Sequence, residues 1–422
     1  MIRTLSRREL LLFGSAGLAS ALVSQLGFAQ GDAPTPAAVQ TKRLATSCIV
    51  LWMNGGPSHL DTFDPKPGSK SYGPAKAIKT KADNIQISEH LPQLAGHMDK
   101  VALVRGVSSK EGNHQRAQEL AHTGRVPNPT VQAPSLGAWV LKRTKVPALD
   151  IPAFVSLGGV SADAGFFGSA YDPFVVASPG SMPDDLGPAR PVASSREASR
   201  RQLLDSMEVD FATRTSDAHV RARQDLYKRA RTMMASSAVR AFDVSSEPEA
   251  ARAAYGDSAF GRGCLVARRL VEVGVPFIEV TLDGWDTHQN NFERTQKQMG
   301  MLDPGFSSLL SDLESRNLLE KTLVVCMGEF GRSPRINGDD GRDHHPGAFS
   351  IAMAGAGVRG GIAHGSTDAE GEKVVSGNVS VPDVVATMSS IMGLDPTTVE
   401  VTPAGRPIYV TEGGKPIAAV MA

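Results

Sequence analysis

Cysteine is scarce: 422 residues contain three, Cys48, Cys264 and Cys326. The count is odd, and no Cys-x-x-Cys or Cys/His knuckle spacing is present. This excludes a disulfide framework and a thiolate zinc site. Cys48 and Cys326 lie in apolar, strand-like runs, and all three read as buried thiols. Net charge is missing as well, with 44 acidic against 44 basic residues. Bulk charge therefore points to neither nucleic acid nor a membrane surface. No internal repeat or long low-complexity tract is visible. The apolar stretch that runs to about Phe28 is interrupted by Gly14, Gly17, Ser20, Ser24 and Gln25, which makes it a poor membrane span.

That stretch reads as a targeting segment over residues 1–29. Ser6-Arg7-Arg8-Glu9-Leu10-Leu11 is a twin-arginine pattern. Gly27-Phe28-Ala29 offers small residues at the two positions a signal peptidase reads, so cleavage is expected after Ala29. The alternative is an uncleaved anchor. Residues 30–44, Pro/Ala-rich from Gly31 to Gln40, read as a linker. The expected location is periplasmic or secreted, with no span after cleavage. The twin-arginine route carries folded proteins, which suits a chain that must take up a metal before export.

Residues 45–422 are long enough for one large α/β domain or two small ones, and are read as one. Ser47 to Met53 is a continuous apolar run, as in a central parallel strand. Further strands are expected at Val101–Val104, Ala153–Leu157, Pro276–Leu282, Thr322–Met327 and Ser350–Ala354. Helical patterns precede two of them, over Phe260–Val273 and around Gly305–Leu319. The alternation predicts a doubly wound, mostly parallel sheet. Ser194 to Ala241 is polar, Arg-rich and free of Pro and Gly. It reads as part of a helical insertion or cap over 194–258, its charges forming a solvated face.

Four polar clusters follow expected strand ends, where ligands bind in open α/β sheets. They are Asn54 to Asp64, Glu111 to Arg116, Asp283 to His288, and Glu329 with Asp343, His344 and His345. The second leads a helix that ends at Thr123-Gly124-Arg125. Carboxylate and imidazole together suit a borderline divalent metal. Asp286 and His288 are two apart, so an extended segment turns both to one side. The alternative for that cluster alone is an Asx-turn with a surface histidine. Of the adjacent pair, His344 is favoured over His345.

Pro57-Ser-His-Leu-Asp-Thr-Phe-Asp-Pro-Lys-Pro67, Gly328-Glu-Phe-Gly-Arg332 and Gly341-Arg-Asp-His344 resemble the signature of the bacterial domain of unknown function 1501 family, across most of the mature chain. The resemblance implies twin-arginine export and a fold like that of the alkaline phosphatase/sulfatase superfamily. Where those enzymes place a metal-binding Asp after the first strand, this chain has Asn54. Where they place a nucleophile at a helix start, it has His114, so Ser, Thr and Cys are all missing there. A later Asp-His pair becomes Glu329-Phe330. Asp286, His288 and His344 correspond to the remaining metal ligands, with Asp283 as a further candidate.

The resemblance thus implies one divalent ion, Zn or Mn, held by Asp286, His288, His344, Asp283 and Asn54. A second ion is not expected, because that pocket has lost a carboxylate. His114 is open to three readings: nucleophile, general base, or residual ligand or donor. Glu329 is an alternative proton acceptor. Arg332 is expected to hold an anion in bidentate fashion. The leading expectation is an exported, metal-dependent hydrolase of phosphate or sulfate esters, acting on an anionic ester or sulfated glycan. The alternative is a non-catalytic binding or accessory protein on the same fold.

Overall fold

The computed structural model describes residues 42–422 apart from 160, 185, 187–192 and 216–217. The targeting segment and most of the linker therefore lie outside the described residues.

The strands that position the site are β1 (Ser47–Asn54), β2 (Val101–Ser108), β3 (Phe154–Leu157), β4 (Phe174–Val176), β5 (Phe277–Asp283) and β6 (Thr322–Met327), then a two-stranded ribbon of β7 (Gly331–Ile336) and β8 (Arg342–His345), then β9 (Phe349–Gly355), β10 (Ile362–His364) and β11 (Val379–Ser380). The main sheet runs in the order β10-β2-β9-β6-β1-β5-β3-β4, with β11 beside β2. Among its described strands, β9 alone runs antiparallel to its neighbours. The sheet is thus mixed and mostly parallel.

The flanking helices are α1 (His114–Thr123), α2 (Leu136–Arg143), α3 (Ser194–Thr215), α4 (Ala218–Ala235), α5 (Ala259–Glu272), α6 (Asn291–Ser315) and α7 (Val381–Ile391). The period of two along β1 divides the core. Ile49, Leu51 and Met53 pack with Leu265 and Leu270 of α5 and Leu302 and Phe306 of α6. Cys48, Val50 and Trp52 pack on the other face with Leu120 of α1, Trp139 of α2 and Val385 of α7. Each such side chain fully withdrawn from water contributes roughly 1.5–3 kcal/mol before chain entropy is counted. All three cysteines are buried and free.

α6 starts well before the helical stretch expected from Gly305. Gly300, Pro304 and Gly305 read locally as breakers, yet the helix runs through them. Thr295, Met299, Leu302, Phe306, Leu309 and Leu313 are all buried at helical spacing. That apolar face outweighs the roughly 3 kcal/mol a helix-interior proline costs.

The register sets the position of the site. Asn54 of β1 lies opposite Asp283 of β5, and Trp52 lies opposite Met327 of β6. Three central parallel strands therefore end side by side. The segments that follow them carry Gly55-Gly56, Asp286-Thr287-His288 and Gly328-Glu329 to one edge.

His59, in the turn region that follows β1, is 1% exposed. Its Nε2 lies 2.7 Å from the Gly371 carbonyl. Burial pulls its pKa down to about 4, against the raising influence of Asp64 and that carbonyl. The depressed folded value means the unfolded chain binds the proton first as pH falls. The contribution to stability is full above about pH 6.5 and is lost as pH falls toward 4, roughly 3 kcal/mol across the window. Urea unfolding at pH 7 and pH 4.5 will show a smaller drop for His59→Gln than for the parent. Equal drops would show that His59 does not titrate this way.

Candidate metal centre

His114 opens α1, whose N-cap Asn113 accepts a hydrogen bond from the Arg116 backbone N–H. Asp286 and His288 follow β5 in a segment without regular secondary structure, His288 lying in a bend. His344 lies on β8, paired with Arg332 of β7. Gly55, at φ +117°, passes so close to the Asp286 backbone that a Cβ would sit 2.3 Å from its nitrogen. Only glycine permits that approach.

Three imidazoles converge on one carboxylate oxygen. Asp286 Oδ1 lies 3.5 Å from His114 Nε2, 3.3 Å from His288 Nε2 and 3.6 Å from His344 Nε2. His114, Asp286 and His344 can offer ligand atoms that all lie within 4.8 Å of one another. The Nε2 atoms of His288 and His344 are 2.9 Å apart.

The other nitrogen of each ring is held from behind. His114 Nδ1 is 2.7 Å from Glu329 Oε1, His288 Nδ1 3.1 Å from Asp343 Oδ1, and His344 Nδ1 2.8 Å from the Gly112 carbonyl. A carbonyl can only accept, and an ionised carboxylate can only accept. Each neutral ring therefore carries its proton on Nδ1 and turns a lone pair on Nε2 inward. Orientation of this kind is what holds metal-ligating histidines in place. His114 Nε2 is buried and has no hydrogen-bond partner. Three lone pairs and a carboxylate oxygen gathered so closely repel one another unless a proton or a metal ion joins them. The donor set fits a borderline divalent ion.

The local electrostatics follow from these contacts. The Glu329 hydrogen bond holds His114 above the usual histidine value, against burial. Burial pulls His344 below it, although the Gly112 carbonyl opposes this. Burial pushes the Asp286 carboxyl up, but the hydrogen bond and charge of Arg332 outweigh it, so the carboxyl sits below its ordinary value. The His288 hydrogen bond holds Asp343 low in the same way.

Not every expected site residue joins the cluster. Asn54 Nδ2 donates to Asp283 Oδ1 at 2.6 Å, and Asn54 Oδ1 accepts from Gln118 at 2.7 Å. These two residues satisfy each other at the strand ends. His345 turns away and meets the Glu372 carbonyl at 2.8 Å. Glu329 is fully buried; its Oε1 accepts from the Gly55 N–H at 3.0 Å and faces His114. Arg332 is fully buried too. It donates to the Gly55, Gly56 and Arg342 carbonyls and to Asp286 Oδ1. With no exposed surface it has nothing to offer a substrate anion, and its place is behind Asp286. Asp343 belongs to the fourth polar cluster, but its place behind His288 is not legible in the sequence; the Gly112 carbonyl gives no signal there, since any backbone carbonyl looks alike.

A family model described as a protein of unknown function, DUF1501, matches residues 45–421. The chain belongs to the DUF1501 family. No curated protein matches the chain. Among solved structures, a protein in the alkaline phosphatase superfamily from Vibrio parahaemolyticus is similar at 12% identity and TM-score 0.41, over 85% of this chain and 68% of its own. The PsFucS1 sulfatase from Pseudoalteromonas sp. is similar at 14% identity and TM-score 0.34, over 82% and 68%. The C-terminal periplasmic domain of EcEptC from Escherichia coli, solved with Zn, is similar at 10% identity and TM-score 0.39, over 87% and 88%. None of these scores reaches 0.5, and they say nothing of the chemistry of this site.

In this DUF1501 protein the sequence motifs meet in space. Arg342, fully buried, donates through Nε to Asp61 Oδ2 at 2.8 Å and through Nη2 to the Ser71 carbonyl at 2.9 Å. Asp61 Oδ2 also accepts from Asn291 at 2.9 Å. Two arginines thus clamp the first motif to the last, and Asp286 rests on one of them.

Proposed function

We propose that the protein is an exported hydrolase of phosphate or sulfate esters that uses one divalent ion, Zn or Mn. The observation that carries this reading is the convergence of three Nε2 atoms on Asp286 Oδ1, each ring held at Nδ1. His114, Asp286 and His344 would hold the ion, with His288 beside them. A bound ion would supply Lewis-acid polarisation of an ester oxygen. Glu329 fixes the tautomer of His114 and leaves its Nε2 lone pair facing the site. With that lone pair engaged as a ligand to the ion, water would be the acceptor of the transferred group. Arg332 keeps Asp286 ionised and oriented. Four protein donors would fill a tetrahedral zinc shell. Turnover therefore calls for an ion of higher coordination number, or for release of one donor. His288, with 43% of its side chain exposed, is the ring best placed to move.

One observation favours the second reading, a non-catalytic binding or accessory protein. Glu329 and Arg332 are both fully buried, so neither a free base nor a free guanidinium is displayed. Twin-arginine export is part of the proposal and rests on Ser6-Arg7-Arg8. Among the described residues no helix is long and apolar enough to cross a membrane.

The test is to recover the protein from the exported fraction of its native host, without chelator, and measure its metal content. The loaded protein is then offered phosphate mono- and diesters and sulfate esters. About one equivalent of metal and turnover of one ester class is the expected result. Metal without any turnover supports the binding protein. No metal in protein that is folded removes the hydrolase reading, and failure to find the chain outside the cytoplasm removes export.

A further inference from the structure

We infer that His122 and Glu279 are positioning residues: their buried contact fixes α1 on the sheet and so holds the imidazole of His114 in the metal centre. The inference rests on the metal centre and not on ester hydrolysis. His114, Gln118 and His122 are four apart on α1, which sets them one above the other on a single face. Each meets a different central strand or its end. His114 Nδ1 faces Glu329, just past β6, at 2.7 Å. Gln118 Nε2 donates to Asn54, the last residue of β1, at 2.7 Å. His122 Nε2 lies 3.0 Å from Oε2 of Glu279, in the middle of β5.

The third contact differs from the other two because it lies inside the apolar core. Glu279 is 1% exposed, and Trp52, Leu136, Phe154, Met327 and Met388 line the cavity around it. Its Oε2 also accepts from Ser161 at 3.0 Å, while its Oε1 has no partner among the described residues. A carboxylate in such a place is tolerated only beside an opposite charge. His122 supplies it. Its Nδ1 lies 2.8 Å from the Gln118 carbonyl, which can only accept. Its Nε2 faces the carboxylate, so both nitrogens donate and the ring is an imidazolium. Burial pulls its pKa down, but the charge and hydrogen bond of Glu279 and the Gln118 carbonyl outweigh burial and hold it above the ordinary histidine value. The ring centre lies 4.3 Å from that of Trp52, whose Nε1 donates to Asn54 Oδ1 at 3.3 Å. A buried pair of this kind costs desolvation and adds little net stability, but it singles out one geometry. Sliding or turning α1 would strand the carboxylate in the core. His114, about two turns along the same face, keeps its place with the pair.

The experiment compares the full chain with Glu279→Gln, His122→Leu and the double variant His122→Leu/Glu279→Leu. Isothermal titration gives the Zn and Mn affinities, the visible spectrum of the cobalt-loaded protein reports the ligand geometry, and urea unfolding with chelator gives stability. Each single variant should weaken the metal about tenfold and destabilise the fold. The double variant puts apolar residues of similar volume in place of the pair and should regain the parent's stability, so it carries the test even where a single variant does not fold. Its affinity should stay about tenfold low and its cobalt spectrum altered. Affinity and spectrum that recover together with stability overturn the inference and leave the pair a packing contact only. If the parent binds no metal, the metal centre itself fails, and hydrogen exchange of the α1 amides in the metal-free chain decides the inference. Faster exchange in the double variant at equal stability supports it, and equal exchange overturns it.

Discussion

Asp286→Ala will leave the protein unable to hold a divalent ion and will also destabilise the metal-free fold. The two effects have separate causes. Asp286 Oδ1 is the one anionic atom that all three Nε2 atoms face, so its loss leaves only neutral donors. Affinity for Zn or Mn should fall by at least about a hundredfold, beyond the ten- to hundredfold typical of orienting residues. Asp286 also receives the guanidinium of Arg332, which is fully buried. Truncation leaves that cation with carbonyl partners alone, at roughly 1.5–3 kcal/mol. Asp286→Asn keeps an acceptor for Arg332 and should recover part of the stability but not the metal. Glu329→Gln gives the contrast: it removes the carboxylate behind His114 Nδ1 and should weaken the metal about ten- to hundredfold. Isothermal titration with Zn and Mn, beside urea unfolding with chelator present, checks each part. If Asp286→Ala binds metal as the parent does, the ion site lies elsewhere.

The second large effect is expected at a buried ion pair next to the metal centre, on the strand that carries His344. Arg342→Met should cost about 3–5 kcal/mol, because it breaks a buried pair and strands one of its charges. Asp61 is 4% exposed and Arg342 fully buried. The guanidinium reaches both carboxylate oxygens of Asp61, at 2.8 Å and 3.3 Å. It also donates to the Ser333, Pro334 and Ser71 carbonyls and lies 5.4 Å from the centre of the Phe292 ring. Without it, Asp61 keeps Asn291 as a partner and its charge is left uncompensated. Asp61→Leu should cost a similar amount for the mirror reason. The double variant should cost clearly less than the sum, since an apolar pair of similar volume replaces a buried ion pair with little loss. Guanidinium-induced unfolding of the four proteins measures the cycle. Single losses below about 1 kcal/mol, or strict additivity, would show that the pair is not a coupled unit.

Much of the scaffold was legible because its signal is local. The apolar runs at Ser47, Pro276 and Thr322 gave three adjacent parallel strands with near-correct ends. The helix before Thr123-Gly124 was legible from its polar start and its glycine end. The antiparallel direction of β9 was not legible, since an apolar run carries no direction. Nor was the reach of α6 through Pro304, because breaker residues are read one at a time while the buried face acts over the whole helix.

The site divides in the same way. From sequence alone came the residue types and the strand-end positions of His114, Asp286, His288 and His344, because chemistry and spacing are written in the chain. Only the folded chain decided that Arg332 and Arg342 are fully buried rather than displayed, and that Asn54 and Asp283 satisfy each other. The reason is distance along the chain: Arg342 meets Asp61 across 281 residues and Arg332 meets Gly55 across 277. Whether a guanidinium holds a substrate or a loop depends on which acceptors the fold brings to it, and no local pattern records that.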